Sequence, residues 1–332
     1  MSSVFDFNEI YKNNLKCFNI LVLGDIIYDN YLFCNTNRIS PEAPVPILKP
    51  HKEEFKLGGA ANVFNNIIAL GAKASLCGVT GDDPEGMKIK SKLISLDNTP
   101  ELIFTDSNRP TSKKTRVMVG THHLLRIDDE KTDVISEEIE RTINDTISKK
   151  IDSYNLLVIS DYNKGVLKHS LVQNLIKIFT QRGKIVIADP KCDFYKYSGA
   201  YLIKPNINEL TMFIGNPSLS NNWELLNKYC KPIFKKGNFK YIYTTLGEKG
   251  GILLKNNGGL AQVSAFGKKA VDITGAGDVT IAALAIAMAA KIDINKAVNF
   301  ASFAAGISVS KMGTSIVEKS EIITLIEKEI MI

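Results

Sequence analysis

The sequence lacks the features that mark several classes of protein. It has one tryptophan, and its five cysteines stand at wide spacings without a CxxC pair, so no zinc or thiol-redox motif is present. The longest largely apolar run, 279–290, has about twelve residues, whereas a helix that crosses a bilayer needs about twenty. Asp6 and Glu9 lie near an N-terminus that has no apolar stretch, which argues against a secretory signal. These absences predict a cytoplasmic protein with reduced cysteines and no membrane partner.

The familiar phosphate-binding and catalytic motifs are missing as well. The sequence contains no GxxxxGK[ST], no complete GxGxxG, no HExxH and no GxSxG, and it lacks the HRD and DFG elements of protein kinases. Its 41 basic and 35 acidic residues give a net charge of +6 that is spread along the chain. A dispersed excess of this size fits a small anionic substrate, and no nucleic-acid partner is predicted.

What the sequence does contain is a regular alternation of short apolar runs with segments of helical periodicity. The predicted strands are 18–23, 74–79, 156–160, 185–188, 201–203 and 241–245. The predicted helices are 59–70, 170–181, 279–290, 294–311 and 320–330. Strands that alternate with helices in this way predict an α/β fold with a doubly wound, mostly parallel central sheet and helices on both faces.

Two segments interrupt the alternation, at about 30–55 and 105–130. The first is rich in proline, which cannot donate a hydrogen bond within a central ladder and therefore belongs in an edge strand or a flap. Its prolines are Pro41, Pro44, Pro46 and Pro50. The second segment has strand-like alternation around Thr115, Val117 and Val119. We expect the two segments to form a small β-sheet lid on a single domain that spans 1–332.

Polar clusters follow most of the predicted strands. Because ligands bind at the carboxyl ends of the strands in open parallel sheets, these clusters are candidate site residues. They are Gly24-Asp25 with Asp29, Asp161, Asp189 with Lys191, Asn206 with Glu209, and Gly275–Asp278. One cluster alone is ordinary turn chemistry. Five at one edge of a sheet predict a ligand site.

The strongest of these clusters is Thr274-Gly275-Ala276-Gly277-Asp278, which opens an apolar helix. Its glycines allow the backbone N–H groups to approach a ligand closely, and the helix N-terminus favours negative charge. The segment therefore suits a phosphoryl group. Asp278 is placed to accept a proton from a nucleophile, and its alternative role is to complement the helix dipole.

Together these motifs resemble those of the ribokinase-like, PfkB-type carbohydrate kinases. The segment 58–62 (GGAAN) is similar to the first signature of that family, and 272–278 (DITGAGD) is similar to the second, with Ile273 between the Asp and the Thr. The segment 206–209 is similar to its NxxE element, and 246–250 to its nucleotide-side glycine turn. The resemblance covers about 18–318 and implies a kinase that uses ATP and Mg²⁺.

Within the family, the string 38–46 (RISPEAPVP) resembles the flap of the heptose 7-phosphate kinases. Other segments that resemble this subfamily are 24–29, 160–165, 189–191 and 311–315. The resemblance implies phosphorylation of D-glycero-β-D-manno-heptose 7-phosphate at its anomeric O1, which gives the 1,7-bisphosphate in ADP-heptose and lipopolysaccharide core biosynthesis. Some relatives carry a nucleotidyltransferase domain after the kinase. Since this chain stops at Ile332, a stand-alone kinase is expected.

The same resemblance implies a role for each candidate residue. Asp278 would be the catalytic base, and the backbone of Gly275, Ala276 and Gly277 would hold the transferring phosphoryl group. The implied sugar-binding residues are Asp25, Asp29, Gly58, Gly59, Asn62 and Asp161. The candidates for binding the 7-phosphate are Arg38, Arg116, Arg126, Lys164 and Lys191. The implied ATP-binding residues are Asn206, Glu209, Thr245, Gly247, Gly250, Asn299 and Ser302, and Asn206 and Glu209 would reach Mg²⁺ through water. One departure is Lys204, which stands where the family usually has Thr.

Two alternatives remain open from the sequence. One is a kinase of another sugar or sugar phosphate, and the other is a non-catalytic sugar- or nucleotide-binding protein of the same fold. Retention of both Asp278 and the glycines favours catalysis. The lid would also expose strand edges, which predicts a homodimer that pairs through it, as related sugar kinases do.

Overall fold

Two β-sheets organise the chain in the computed structural model, which describes residues 8–267, 271–311, 313 and 315–330. The helices are α1 Asn8–Lys12, α2 Ala60–Ala69, α3 Pro84–Ile94, α4 Glu137–Lys150, α5 His169–Gln181, α6 Ile207–Ile214, α7 Trp223–Gly237, α8 Ala276–Ala289, α9 Ile294–Ser308 and α10 Lys319–Ile330. The strands are β1 Asn19–Gly24, β2 Ile26–Ile39, β3 Pro46–Gly59, β4 Lys73–Thr80, β5 Ile103–Thr105, β6 Lys113–Val119, β7 His122–Asp129, β8 Leu156–Ser160, β9 Ile185–Asp189, β10 Leu202–Ile203, β11 Tyr241–Thr245, β12 Gly251–Lys255 and β13 Leu260–Val263.

The larger sheet has, within the described residues, nine strands in the order β13-β12-β11-β10-β9-β8-β1-β4-β5. The strands from β11 to β5 in that order run parallel, and β12 and β13 add an antiparallel edge. Each strand predicted from an apolar run lies in this sheet. The predicted doubly wound α/β fold is therefore confirmed.

Both faces of the larger sheet are buried, as strand β1 illustrates. Its side chains alternate, so that Ile20 and Val22 join a core formed with α2, α8 and α9, whereas Leu21 and Leu23 join a core formed with α4, α5 and α7. All four side chains are fully buried. Because both faces are buried, the strand has a continuous apolar run in the sequence instead of an alternation of apolar and polar residues.

The smaller sheet, called the lid sheet below, has the order β3-β2-β6-β7. Strands β2 and β6 pair in parallel, and the other pairs are antiparallel. Pro46 and Pro50 lie on β3, an edge strand, as expected for residues without an N–H donor. The expected lid boundaries need one correction. Residues 103–105 form β5 in the larger sheet because they pair with β4, and the second lid segment begins at Lys113.

Some sequence predictions fall outside the described residues. These are the argument from Asp6 against a secretory signal, and Met312 and Thr314 of the 311–315 motif. In the part of the chain that the structure describes, no helix has both the length and the apolar character needed to cross a bilayer.

Candidate active site

The carboxyl ends of the parallel strands bring most of the predicted polar clusters to one edge of the larger sheet. Asp25 follows β1, Asp161 follows β8, and Asp189 ends β9. Backbone hydrogen bonds continue the ladder past the strand ends, from Asp161 N to Asp189 O at 3.1 Å and from Thr245 N to Pro205 O at 3.2 Å. The polar residues therefore lie along one edge of the sheet.

Helix α8 begins at this edge. Gly275, the residue before the helix, has a φ of 84°, a left-handed conformation that glycine adopts without strain. Asp278 lies in the first turn and is buried. Its Oδ2 accepts a hydrogen bond from Asn62 Nδ2 at 2.7 Å, and its Oδ1 accepts one from the Tyr162 hydroxyl. Burial raises the pKa of Asp278 to about 6, although both hydrogen bonds oppose the rise.

Lys204, the departure noted in the sequence, is a buried cation beside the start of α8. Its Nζ lies 3.0 Å from Asp189 Oδ2. A Cβ atom at Gly277 would lie 3.6 Å from the same Nζ, so the ammonium group adjoins the glycine segment. Burial raises the pKa of Asp189 to about 7, against the influence of Lys204. The site therefore places a positive charge next to backbone that is suited to a phosphoryl group.

Asp25 is buried and holds the loop that follows β8. Its carboxylate accepts hydrogen bonds from the backbone N–H of Tyr162 at 2.8 Å, Lys164 at 3.1 Å and Val166 at 3.2 Å. Burial and the nearby charge of Asp161 raise the pKa of Asp25. This geometry gives the Asp25 carboxylate a structural task within the site.

Asp161 is similarly engaged by the protein. Its Oδ1 accepts a hydrogen bond from Asn163 N at 2.6 Å, and its Oδ2 accepts hydrogen bonds from Lys196 Nζ at 2.6 Å and from the Tyr197 hydroxyl. Residues 161–166, called the Asp161 loop below, are thus fixed by two buried carboxylates.

The glycine pair at the end of β3 allows that strand to lie close to Asp29 on β2 and to Asp25, the residue between β1 and β2. A Cβ atom at Gly58 would lie 2.4 Å from Asp29 Oδ2, and one at Gly59 would lie 2.4 Å from Asp25 O. A larger residue at Gly59 would collide with backbone, and one at Gly58 would displace the Asp29 carboxylate. Asp29 is itself buried and forms an ion pair with Arg116 on β6.

A cavity of about 420 Å³ lies between the lid sheet and the segment that leads into α8. Its lining is Tyr31, Phe33, Glu54, Lys56, Arg116, Met118, His123, Asp272, Thr274 and Gly313. Lys56 Nζ lies 5.1 Å from the centre of the Tyr31 ring, and the Arg116 guanidinium lies 5.2 Å from the same centre. Neither Lys56 nor Tyr31 was predicted from the sequence as a site residue. The cavity depends on cross-strand register, which places Asp29 opposite Lys56 and Tyr31 opposite Arg116.

Of the five basic residues predicted to bind a phosphate, Arg116 alone lines this cavity. Arg126 is exposed and bonded to Asp128 at 2.7 Å, and Arg38 is exposed at the outer end of β2. Lys164 forms an ion pair with Glu130, and Lys191 lies 2.8 Å from Glu209.

Asn206 and Glu209 form a capping box at the start of α6. Asn206 Oδ1 accepts a hydrogen bond from Glu209 N, and Glu209 Oε2 accepts one from Asn206 N, each at 2.9 Å. The remaining Glu209 oxygen accepts a hydrogen bond from Lys191. In the described residues, no group of three or more His, Cys, Asp and Glu is placed to hold a metal ion directly. These hard oxygen donors fit a magnesium ion held through water, and they do not form a direct cage.

The predicted nucleotide-side residues lie at the end of β11 and on α9. Gly247 and Gly250 have φ values of 60° and 86°, and a Cβ atom at Gly250 would lie 2.1 Å from Val263 O. On α9, Ser302 donates a hydrogen bond to Ser264 O at 2.9 Å, and Asn299 donates one to the backbone of its own helix. Ser302 thus ties α9 to the segment after β13.

The chain is similar to carbohydrate kinases in sequence and in structure. The profile of the family described as pfkB family carbohydrate kinase matches residues 18–321. The bifunctional protein HldE of Helicobacter pylori (strain HPAG1) is 38% identical over 312 residues, which are 93% of this chain and 66% of that protein. The bifunctional protein HldE of Pelobacter propionicus is 35% identical over 319 residues, 96% of this chain and 65% of that protein. The chain therefore spans slightly less than two thirds of these relatives' length.

Solved structures share the fold at low sequence identity. Ribokinase of Arabidopsis thaliana, complexed with ribose and ATP, superposes with a TM-score of 0.73 at 19% identity and covers 93% of this chain and 98% of its own. Phosphofructokinase-2 of Escherichia coli, in complex with potassium, gives a TM-score of 0.75 at 20% identity over 94% of this chain and 98% of its own.

Proposed function

The chain belongs to the pfkB family of carbohydrate kinases, and from that premise we propose that it transfers the γ-phosphoryl group of ATP to the anomeric O1 of D-glycero-β-D-manno-heptose 7-phosphate. The observation that carries the proposal is the environment of Asp278, a buried carboxylate between two hydrogen-bond donors at the N-terminus of α8. The choice of sugar is supported by the 38–46 flap string and by the HldE relatives.

In the proposed reaction, Asp278 accepts the proton of the sugar O1 hydroxyl. The O1–phosphorus bond forms while the bond between the γ-phosphorus and the bridging oxygen breaks, and the electron pair leaves with ADP. A base whose pKa lies near 6 is ionised at neutral pH and is still basic enough to assist the transfer. The sugar O1 thus loses its proton to Asp278 and gains the phosphoryl group from ATP.

The start of α8 and Lys204 supply the positive potential that phosphoryl transfer needs. Little covalent chemistry falls to the protein in such reactions, so catalysis rests on positioning and charge neutralisation. The N–H of Ala276 donates to Ile273 O at 3.2 Å. The phosphoryl group would therefore be held by the N–H groups of Gly277 and Asp278, which precede the first hydrogen bond within the helix. The Lys204 ammonium beside Gly277 adds a positive charge there, which the neighbouring Asp189 carboxyl group partly offsets.

Magnesium would be held by the nucleotide phosphates together with water on Asn206 and Glu209. When bound, it would neutralise phosphate charge. The task of these two side chains would be to orient that water while they keep α6 capped.

The cavity under the lid sheet supports a phosphorylated sugar. Arg116 and Lys56 bring two cations to a space of about 420 Å³ that the carboxyl groups of Glu54 and Asp272 also line. A guanidinium fork matches phosphate oxygens, and an ammonium group adds a point charge. We assign the substrate's own phosphate to this cavity, with Asp29 orienting Arg116.

We also propose that two copies pair through the lid sheet. Its outer strand β7 is exposed along its whole length. Leu124, Leu125 and Ile127 on this strand expose 45%, 45% and 58% of their surface. A sheet edge with apolar side chains of this kind is covered well by a second copy of itself.

A panel of acceptors tests the function. ADP release would be measured with heptose 7-phosphate, unphosphorylated heptose, fructose 6-phosphate and ribose. The proposal predicts the highest kcat/KM for heptose 7-phosphate. A preference for another acceptor would assign the chain to a different sugar, and ATP binding without turnover on any of them would favour a binding protein.

A further inference from the structure

The phenol group that contacts Asp278 belongs to Tyr162, which lies within the 160–165 motif but was given no role from the sequence. Its hydroxyl donates a hydrogen bond to Asp278 Oδ1, while Asn62 occupies Oδ2. The two donors come from different elements, the Asp161 loop and α2. They hold the carboxylate from both sides and leave its remaining lone pairs for an acceptor hydroxyl.

The backbone at Tyr162 is held in place by the site itself. Asp25 accepts a hydrogen bond from Tyr162 N at 2.8 Å. The next residue, Asn163, adopts a left-handed φ of 57°, and its N–H donates to Asp161 Oδ1 at 2.6 Å. The buried carboxylates of Asp25 and Asp161 thus hold the loop that carries this hydroxyl. Asp25, the second residue of the Gly24-Asp25 motif, therefore has a role in positioning Tyr162.

We propose that Tyr162 is a positioning residue for phosphoryl transfer, whose hydroxyl keeps the Asp278 carboxylate ionised and aimed at the acceptor oxygen. The inference rests on the proposed function in that Asp278 is the base.

The electrostatics of the site agree with this role. Burial alone favours a protonated Asp278, and a donor to the ionised form lowers its pKa. The pKa of Tyr162 itself is raised well above its usual value, so the phenol stays protonated and remains a donor. The other charges that act on Asp278 are Lys204, which lowers its pKa, and Asp29, which raises it. Asp189 is a further carboxylate within electrostatic range.

The test is Tyr162→Phe, which removes the donor and keeps the ring. The acid limb of the kcat/KM profile, expected near pH 6 in the wild type, should move up by about one pH unit because a donor to a charged group has been lost. At pH 6.5 this predicts a loss of about threefold, and at pH 8.5 almost none. Tyr154→Phe is the matched control. Tyr154 is a buried tyrosine that precedes the start of β8, whereas Tyr162 follows the end of that strand, so this variant should leave the acid limb of the kcat/KM profile unchanged.

A second readout does not depend on the sugar. The ¹³C titration of the Asp278 carboxyl, assigned by its absence in Asp278→Asn, should move upward in Tyr162→Phe. If no acceptor is phosphorylated, the proposed function fails while this titration still tests the Tyr162 contact. An unchanged limb and an unchanged titration, or an equal shift in Tyr154→Phe, would overturn the inference.

Should Tyr162→Phe fail to fold, 3-fluorotyrosine at position 162 provides the test. It retains the hydroxyl and is a stronger donor, so the acid limb and the ¹³C titration should move down. No movement in either would overturn the inference.

Discussion

At the scale of single residues, Asp278 offers the most direct substitution. Asp278→Asn removes the proton acceptor but keeps the size of the side chain and an oxygen for one of its two donors. A positioned base contributes about 10²–10⁴ in rate, so turnover should fall by that factor while ATP affinity stays within about twofold. Steady-state kinetics and calorimetric titration with an ATP analogue would measure both. Wild-type kcat in this variant would remove Asp278 from the base role.

Arg116 and Lys56 carry the prediction about the substrate's phosphate. A charge-assisted hydrogen bond is worth about 1.5–3 kcal/mol, so alanine at either position should lower kcat/KM about 10- to 150-fold for the phosphorylated sugar. The unphosphorylated sugar, which never makes the contact, should show little change.

Arg182→Ala is the control for these variants, because Arg182 is an exposed residue paired with Asp152 beyond the end of α5. Alanine variants of Arg38, Arg126, Lys164 and Lys191 complete the comparison. One of these four variants could instead show a fall in kcat/KM for the phosphorylated sugar alone. That result would place the phosphate outside the cavity.

Several residues of the site could be predicted from the sequence and others could not, for a physical reason. Asp278 stood out because glycines and the start of an apolar helix surround it within five residues. Tyr162 contacts Asp278 from 116 residues away, and tyrosine is as common in cores as in sites. Lys56 faces the cavity only through the register of β2 with β3. Contacts of this kind depend on the folded sheet.

At the scale of elements, the N-cap of α6, Asn206, has a structural role as a cap and a proposed role in holding magnesium. The two roles can be tested separately. Asn206→Ala removes an N-cap and should lower stability by about 1 kcal/mol. Asn222→Ala removes the equivalent cap of α7, where the side chain accepts a hydrogen bond from Leu225 N, and should cost about as much.

The two cap variants should differ in their response to magnesium. Only Asn206→Ala should raise the Mg²⁺ concentration that half-maximal activity requires, because Asn222 lies outside the site. Chemical denaturation and a magnesium titration would measure the two effects. If both variants need the same Mg²⁺ concentration for half-maximal activity, Asn206 caps α6 and has no role in binding magnesium.

The elements that the sequence predicted are those with enough apolar side chains. Helices α2 and α8 are almost entirely buried, so their pattern was evident. In helix α4 the buried residues are Ile143 and Ile147, and most of the others are polar or charged. These apolar positions were too few to predict a helix from the sequence. The 206–209 spacing is typical of both a capping box and a family motif, and the structure has the capping box.

At the scale of the whole molecule, the lid sheet carries the prediction of a dimer. Light scattering at micromolar concentrations should give twice the chain mass of 36.6 kDa. Ile127→Lys places a charge on the exposed face of β7 and should give monomers. Leu260→Lys, a similar change on the outer strand of the larger sheet, should leave the dimer intact. A wild-type monomer at every concentration would contradict pairing through the lid.

The central claim is the transfer of a phosphoryl group to the anomeric oxygen of a sugar phosphate, and ³¹P NMR tests it most directly. The enzyme would be incubated with ATP, Mg²⁺ and heptose 7-phosphate. The account predicts one new phosphate resonance, coupled to the anomeric proton, which grows in step with ADP while the 7-phosphate signal is retained. ADP without that resonance, or a new phosphate on another carbon, would contradict the account.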